Sequence, residues 1–194
     1  MPEYGKDEKV ENLDDYKQSV RKIAEKIHEE ALSGEKRPQE PLQKVKIGKV
    51  APWIVKNAME VGIDINGYEH EVSNYFIQHV IKNHANAKKE ENRGNLPITD
   101  EDFEKIPLII EKPDYAIFGA KRNNEDRIIY VKGLNNGTML YFEEILIGDK
   151  NKSLRGRTMY KTRKTLDRGG VLANIQMNRK TDMSNIKITG MDGD

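Results

Sequence analysis

Two histidines five positions apart, His79 and His84, sit in the stretch Tyr75-Phe76-Ile77-Gln78-His79-Val80-Ile81-Lys82-Asn83-His84. Imidazole titrates near neutrality, so either ring could take a proton from a ribose 2′-hydroxyl or return one to a leaving 5′-oxygen. Further along stand Lys132, Arg157, Thr158 and Tyr160. Lys132 or Arg157 could carry the charge that develops on a phosphorane, while Thr158 and Tyr160 could hydrogen-bond a phosphate or relay a proton. Together these six residues have the groups needed for RNA cleavage without a metal.

Other chemistries fit less well. A zinc-protease helix needs its histidines four residues apart with a glutamate beside the first, and here Gln78 and Val80 flank His79. A five-residue step also turns the two side chains about 140° apart on a helix, which argues against one shared metal ion. Asp100-Glu101-Asp102 resembles a metal cluster, but Thr99 before it makes the run a helix start, with acids at the positive end of the dipole. With no cysteine there is no thiolate nucleophile, disulfide or cysteine-based zinc site. No cofactor is expected.

Residues 150–168 hold Lys150, Lys152, Arg155, Arg157, Lys161, Arg163, Lys164 and Arg168 against one acid, Asp167. The whole chain has 33 basic and 32 acidic residues, so this local excess is its main electrostatic signal. It suits a polyanion, since each cation placed on a phosphate releases counterions. It would equally suit a solvated turn that answers the acids near position 100. Strand alternation puts Thr158 and Tyr160 on one face and Arg155, Arg157 and Met159 on the other.

The elements that must position these residues are legible from periodicity. Leu13, Tyr16, Val20, Ile23, Ile27 and Ala31 form a helical stripe, with Asn12 as cap and Gly34 as stop. His28 falls at its boundary. Pro38 and Pro41 mark a linker, which would leave this first helix an appendage. Val45, Ile47 and Val50 alternate as a strand, Pro52 opens a second helix around Trp53, and Asn66-Gly67 makes a turn. Ser73 caps the histidine helix. Residues 86–95 read as a polar, solvated loop, and Pro107 and Pro113 hold Leu108-Ile109-Ile110 off helix.

Four strand-like runs follow, at 115–119, 127–132, 139–147 and 154–160. Their short connections, rich in Asn, Gly and Asp, predict an antiparallel meander. Residues 161–194 offer a basic stretch, a Gly169-Gly170 break, a short strand or two and a frayed end. The 194 residues suit one domain of ordinary size, and no apolar run approaches the roughly 18 residues that span a bilayer. A soluble chain without a membrane partner is expected.

The order of these features resembles a known group. His79 to His84 on a helix is followed by Ile98-Thr99-x-x-Asp102, Ile106-Pro107 and Pro113-Asp114. Then come Ile129-Tyr130-x-Lys132, an Asn136-Gly137 turn and Thr158-Met159-Tyr160, with Ser184-Asn185-Ile186 as an echo of a terminal element. The series, over 45–160, resembles the phage-associated nuclease-like domains grouped with barnase, EndoU, the tRNA-cleaving colicins and RelE. Such domains occur in polyvalent phage proteins, phage head-morphogenesis proteins and polymorphic toxins. Ala85 stands where these domains often have glycine.

The resemblance implies an α+β fold in which N-terminal helices pack on a four-stranded antiparallel sheet. It divides the chain into a helix and linker (1–42), a nuclease-like domain (43–160) and a basic extension (161–194). It implies a toxin-like endoribonuclease that needs no metal and yields a 2′,3′-cyclic phosphate. His79 and His84 would be its acid and base, with Lys132, Arg157, Thr158 and Tyr160 around the phosphate. Lys150, Lys152, Arg155, Lys161, Arg163 and Lys164 would hold nucleic acid. The implied partners are RNA, with tRNA among the candidates, and an immunity or antitoxin protein. Delivery would be by a phage or a secretion system into a bacterial cytoplasm. Two other readings compete: a virion-associated nucleic-acid-binding module without catalysis, and a protein-interaction partner that docks through its first helix.

Overall fold

A computed structural model describes residues 8–9, 12–34, 40–148 and 150–190. Most of the expected linker (35–39), the middle of the 148–150 turn and the end at 191–194 lie outside the described residues. The expected meander forms the middle of the molecule: β5 (Tyr115–Arg122), β6 (Glu125–Gly133), β7 (Met139–Ile147) and β8 (Ser153–Thr162). Asn123 and Asn124, both at positive φ (53° and 61°), join β5 to β6 in the two-residue turn that matches strand twist.

The sheet is larger than the four strands expected. Among the described residues it has nine, in the order β1-β2-β3-β8-β7-β6-β5-β9, with β4 attached to β8. The additions are β1 (Glu8–Lys9), β2 (Lys44–Lys49), β3 (Glu69–Ser73), β4 (Asn95–Leu96) and β9 (Lys187–Gly190). Most pairs are antiparallel, but β1 pairs with β2 and β3 with β8 in parallel. β3 escapes a search for alternating apolar residues because its inward groups include His70 and Glu71, both buried with partners.

One face of the sheet carries Ala116, Phe118, Ile128, Tyr130, Leu140, Phe142, Leu154 and Met159. Against it pack α1 (Leu13–Ser33), α2 (Pro52–Glu60), α3 (Asn74–His84), α5 (Asp100–Glu104) and α6 (Ile106–Glu111). The first helix has the predicted ends, with Asn12 accepting from the Asp15 N–H and Gly34 left-handed. It is no appendage: Tyr16, Val20, Ile23 and Ala24 are buried in the main core, and the Tyr16 hydroxyl donates to the Phe103 carbonyl at 2.7 Å. Burial pushes the Tyr16 phenol well above its ordinary pKa. Trp53 meets Phe118 edge-on at 6.4 Å, as a core anchor.

Two stretches differ from their expected form. Ile106–Glu111 is helical, because Pro107 falls in the first turn, where its missing N–H costs nothing. Residues 87–92 form α4 (Ala87–Asn92), capped by Asn86.

A helix also covers the opposite face. α7 (Arg168–Arg179) seals it by packing Val171 and Ile175 onto Tyr115, Ile117, Ile129, Val131, Met139, Tyr141 and Tyr160. The chain after Tyr160 is thus built into the fold, and β9 pairs with β5. Gly119, at φ 84°, lets the returning chain pass: a Cβ there would stand 2.2 Å from the Asn185 carbonyl oxygen. No helix among the described residues is long and apolar enough to cross a membrane.

Candidate active site

The neighbours of β8 explain where the site lies. On the edge away from β7, β3 pairs only with Ser153–Arg155 and β4 only with Lys161 and Thr162. Between them that edge has no strand partner among the described residues, and α3 packs there instead. Ser73 caps α3 by accepting from the Phe76 N–H at 3.1 Å, and Phe76, Ile77 and Val80 anchor it in the main core. The last residue of the helix, His84, therefore reaches the interrupted edge.

There His84 Nε2 stands 3.4 Å from Thr158 Oγ1, and its ring centroid lies 6.3 Å from that of Tyr160. Tyr160 in turn stacks on Tyr141 at 4.8 Å, with the rings 11° from parallel. Burial pushes the Tyr141 phenol up to about 12. His84 is only 5% exposed, whereas His79 is open to solvent. The two rings end up neighbours, 6.2 Å apart between centroids, despite the five-residue step. Asn83 holds His79 from the next turn, donating to its carbonyl at 2.9 Å and lying 3.3 Å from its Nδ1.

Behind His84 is a carboxylate that the sequence reading placed in a solvated loop. Glu90, on α4, is fully buried. Its Oε2 lies 3.4 Å from His84 Nδ1 and from Asn95 Nδ2, and its Oε1 accepts from Arg93 at 2.7 Å. Arg93 also donates to the Asn83 carbonyl at 2.9 Å, tying α4 to the end of α3. An ionised carboxylate only accepts, so it favours the tautomer with hydrogen on Nδ1 and leaves Nε2 to accept from the Thr158 hydroxyl. The local signal was slight: Asn86 as a helix cap, then a glutamate in the first turn.

Arg157 lies beside Thr158 for a reason that strict alternation misses. Glu143 pairs with Thr158 and Glu144 with Gly156, so Arg157 is the extra residue of a bulge. Its guanidinium therefore turns to the side of Glu125, with Nε 3.9 Å from Oε1, rather than to the face of Met159. Lys132 is elsewhere. It shares the face of Ile128 and Tyr130, and its Nζ donates to the Lys112 carbonyl at 2.7 Å, 3.7 Å from Asp114. The interrupted edge thus brings together His79, His84, Thr158 and Tyr160, while the Arg157 guanidinium reaches inward toward Glu125 on β6 and Lys132 lies on the other face.

The basic run does not form one patch. Lys150 and Lys152 lie before β8, and Arg163 and Lys164 beyond its other end. Arg155 donates to Glu71 at 2.7 Å, Lys161 donates to the buried Asp102 at 2.7 Å, and Arg163 lies 3.7 Å from Glu91. Asp102 is the third residue of the predicted capping box, accepting from the Thr99 N–H at 2.9 Å. Burial acts to raise its pKa, but the Lys161 hydrogen bond, the Thr99 N–H and Lys105 together outweigh that and hold it below the usual carboxylate range.

A comparison with curated proteins gives no match, and neither does one with solved structures. A family profile, described as phage-Barnase-EndoU-ColicinE5/D-RelE like nuclease3, matches residues 48–168. That segment runs from β2 to the start of α7 and contains every residue that meets at the interrupted edge of β8. With more than half its length inside the match, the chain belongs to the phage-Barnase-EndoU-ColicinE5/D-RelE like nuclease family.

Proposed function

We propose that this protein is a toxin-like endoribonuclease that cleaves RNA by attack of the 2′-hydroxyl, leaving a 2′,3′-cyclic phosphate, with no metal in the chemistry. The observation that carries this is the meeting of two imidazoles, one open and one buried, with a threonine hydroxyl at a single edge of the sheet. His79, as the open ring, is the group that exchanges protons with substrate. His84 backs it, oriented by Glu90 and Thr158. Arg157 supplies charge to the phosphate, and Tyr160 closes the apolar side.

The substrate is RNA, with tRNA among the candidates, and an immunity protein would protect the producing cell. The purified protein should cut single-stranded RNA in EDTA and leave 2′,3′-cyclic ends. Cleavage that persists in the His79→Ala/His84→Ala double variant would end this reading.

The near-complete burial of His84 and Thr158, 5% and 4% exposed, favours a second reading: a module that binds nucleic acid without turnover. It predicts salt-dependent binding with no cleavage product at any enzyme concentration.

A further inference from the structure

Beside the site, three arginines surround two carboxylates on the same side of the sheet. Arg122, from the end of β5, is fully used: it donates to both oxygens of buried Glu143 at 2.6 and 3.3 Å and to Thr181 Oγ1 at 3.2 and 2.9 Å. Arg127 is not. It is 3% exposed, and its Nε and Nη1 are buried with no hydrogen-bond partner among the described residues. Only Nη2 is engaged, donating to Glu125 Oε1 at 3.0 Å. A buried guanidinium with two idle donors is costly unless something else satisfies it.

Glu125 is a weak match for that role. It is the first residue of β6 after the two-residue turn, and its side chain is 39% exposed. The same oxygen that accepts from Arg127 lies 3.9 Å from Arg157 Nε. One rim carboxylate therefore stands between a buried arginine and an arginine whose side chain is 51% exposed, next to Thr158. Burial, with Arg122 and Arg157 nearby, draws the Arg127 pKa down against the pull of Glu143 and Glu125. An anion that adds contacts there would satisfy the idle donors of Arg127.

We propose that Arg127 and Arg157 form an oxyanion subsite for a backbone phosphate of single-stranded RNA, and that Glu125 occupies it as an internal substitute until the phosphate displaces it. A phosphodiester presents two non-bridging oxygens, so it can engage Nη1 as well as Nη2 of Arg127 and still meet Arg157. Glu125 leaves easily because it sits at a solvent-facing turn. Arg157 adjoins Thr158 on β8, while Arg127 and Glu125 lie two strands inward on β6, so the subsite extends from the histidine edge across the sheet. This deepens the nuclease reading and rests on it for the identity of the ligand.

The test uses the full chain and a 2′-O-methylated single-stranded RNA oligonucleotide, which can bind but cannot be cut by 2′-hydroxyl attack. Affinity is read by fluorescence anisotropy over a salt series. Glu125→Gln should bind about three- to tenfold more tightly, since the competing charge is gone. Arg127→Met should bind about tenfold more weakly, with the salt slope reduced by roughly 0.7 for one lost phosphate contact.

Equal or weaker binding by Glu125→Gln overturns the proposal, and Glu125→Gln lies at the surface, so this arm stands even if Arg127→Met fails to fold. An unchanged salt slope in folded Arg127→Met also overturns it. Cleavage of unmodified RNA by the wild-type protein is scored separately: cleavage without tighter Glu125→Gln binding removes the subsite alone. The expected binding changes without cleavage remove the nuclease reading alone.

Discussion

The hydroxyl of Thr158 and the Nε2 of His84 face each other at 3.4 Å across 74 residues of sequence. On the far side of the imidazole, Nδ1 faces the buried Glu90 at the same distance. The ring is held from both ends, and its orientation is set by the protein before any substrate arrives. His79, standing outside it, is the part of the pair that solvent and substrate can reach.

His79→Ala should lower RNA cleavage by about 10² to 10⁴ with little change in melting temperature, because the ring is exposed. His84→Ala should lower cleavage comparably and also destabilise the fold, because its ring is buried against Thr158 and Tyr160. Single-turnover rates beside thermal melts separate the two. Loss of stability in His79→Ala and none in His84→Ala would reverse the assigned roles.

Glu90→Gln keeps the shape of the buried side chain and removes its charge. RNA cleavage should fall by about tenfold, because His84 loses the charged acceptor that orients its ring. The Arg93 contact is also weakened, so some stability goes with it. A variant that is less stable but cleaves RNA at the wild-type single-turnover rate would leave Glu90 as a structural residue only.

Asp102 gives the fold an acid-sensitive joint. Its carboxyl is held below the usual range in the folded protein, so the unfolded chain takes up the proton first as pH falls. The stability it contributes is complete above the unfolded value near 3.9 and is lost as pH falls through the folded one. Asp102→Asn should cost about 3 kcal/mol at neutral pH by stranding the Lys161 ammonium. It should also flatten the acid side of the stability curve in urea titrations between pH 5 and 2. A curve as steep as wild type would assign that limb to other carboxyls.

Gly119→Ala should destabilise the protein by more than about 3 kcal/mol, or prevent folding, since φ there is 84° and the added carbon meets the Asn185 carbonyl at 2.2 Å. Gly137→Ala, also at positive φ but with nothing within 4 Å, should cost only about 1 kcal/mol. Chemical denaturation of both variants gives the comparison, and equal losses would show that backbone conformation alone accounts for the effect.

What the sequence revealed was what repeats locally. The stripe of Tyr16, Val20 and Ile23, the Thr99–Asp102 cap and the four meander strands are each written in a short window. What it concealed depends on distant partners. Residues 69–73 carry histidine and glutamate inward because distant partners meet them: Glu144, itself accepting from the Tyr130 hydroxyl, faces His70, and Arg155 donates to Glu71. Arg157 looked turned away from Thr158 because a bulge breaks the count of two. Lys132 matched the family order but faces the other side of the sheet. Glu90 sat in a run of lysines and glutamates whose composition says solvent, and only the fold shows that one of them points inward.

The parallel pairing of β3 with β8, Glu69 opposite Ser153, has a consequence for the order of folding. α3 follows β3 directly, so the histidines leave the ribosome well before Thr158 does. The strand pair that docks β8 beside them closes a loop of about eighty residues, a slow step in which local contacts must wait for remote ones. Until that closure an unpaired β3 edge stays exposed, and the histidine helix has no partner hydroxyl. Assembly of the site is therefore a late event, and a chain interrupted before β8 carries its histidines without the strand they act with.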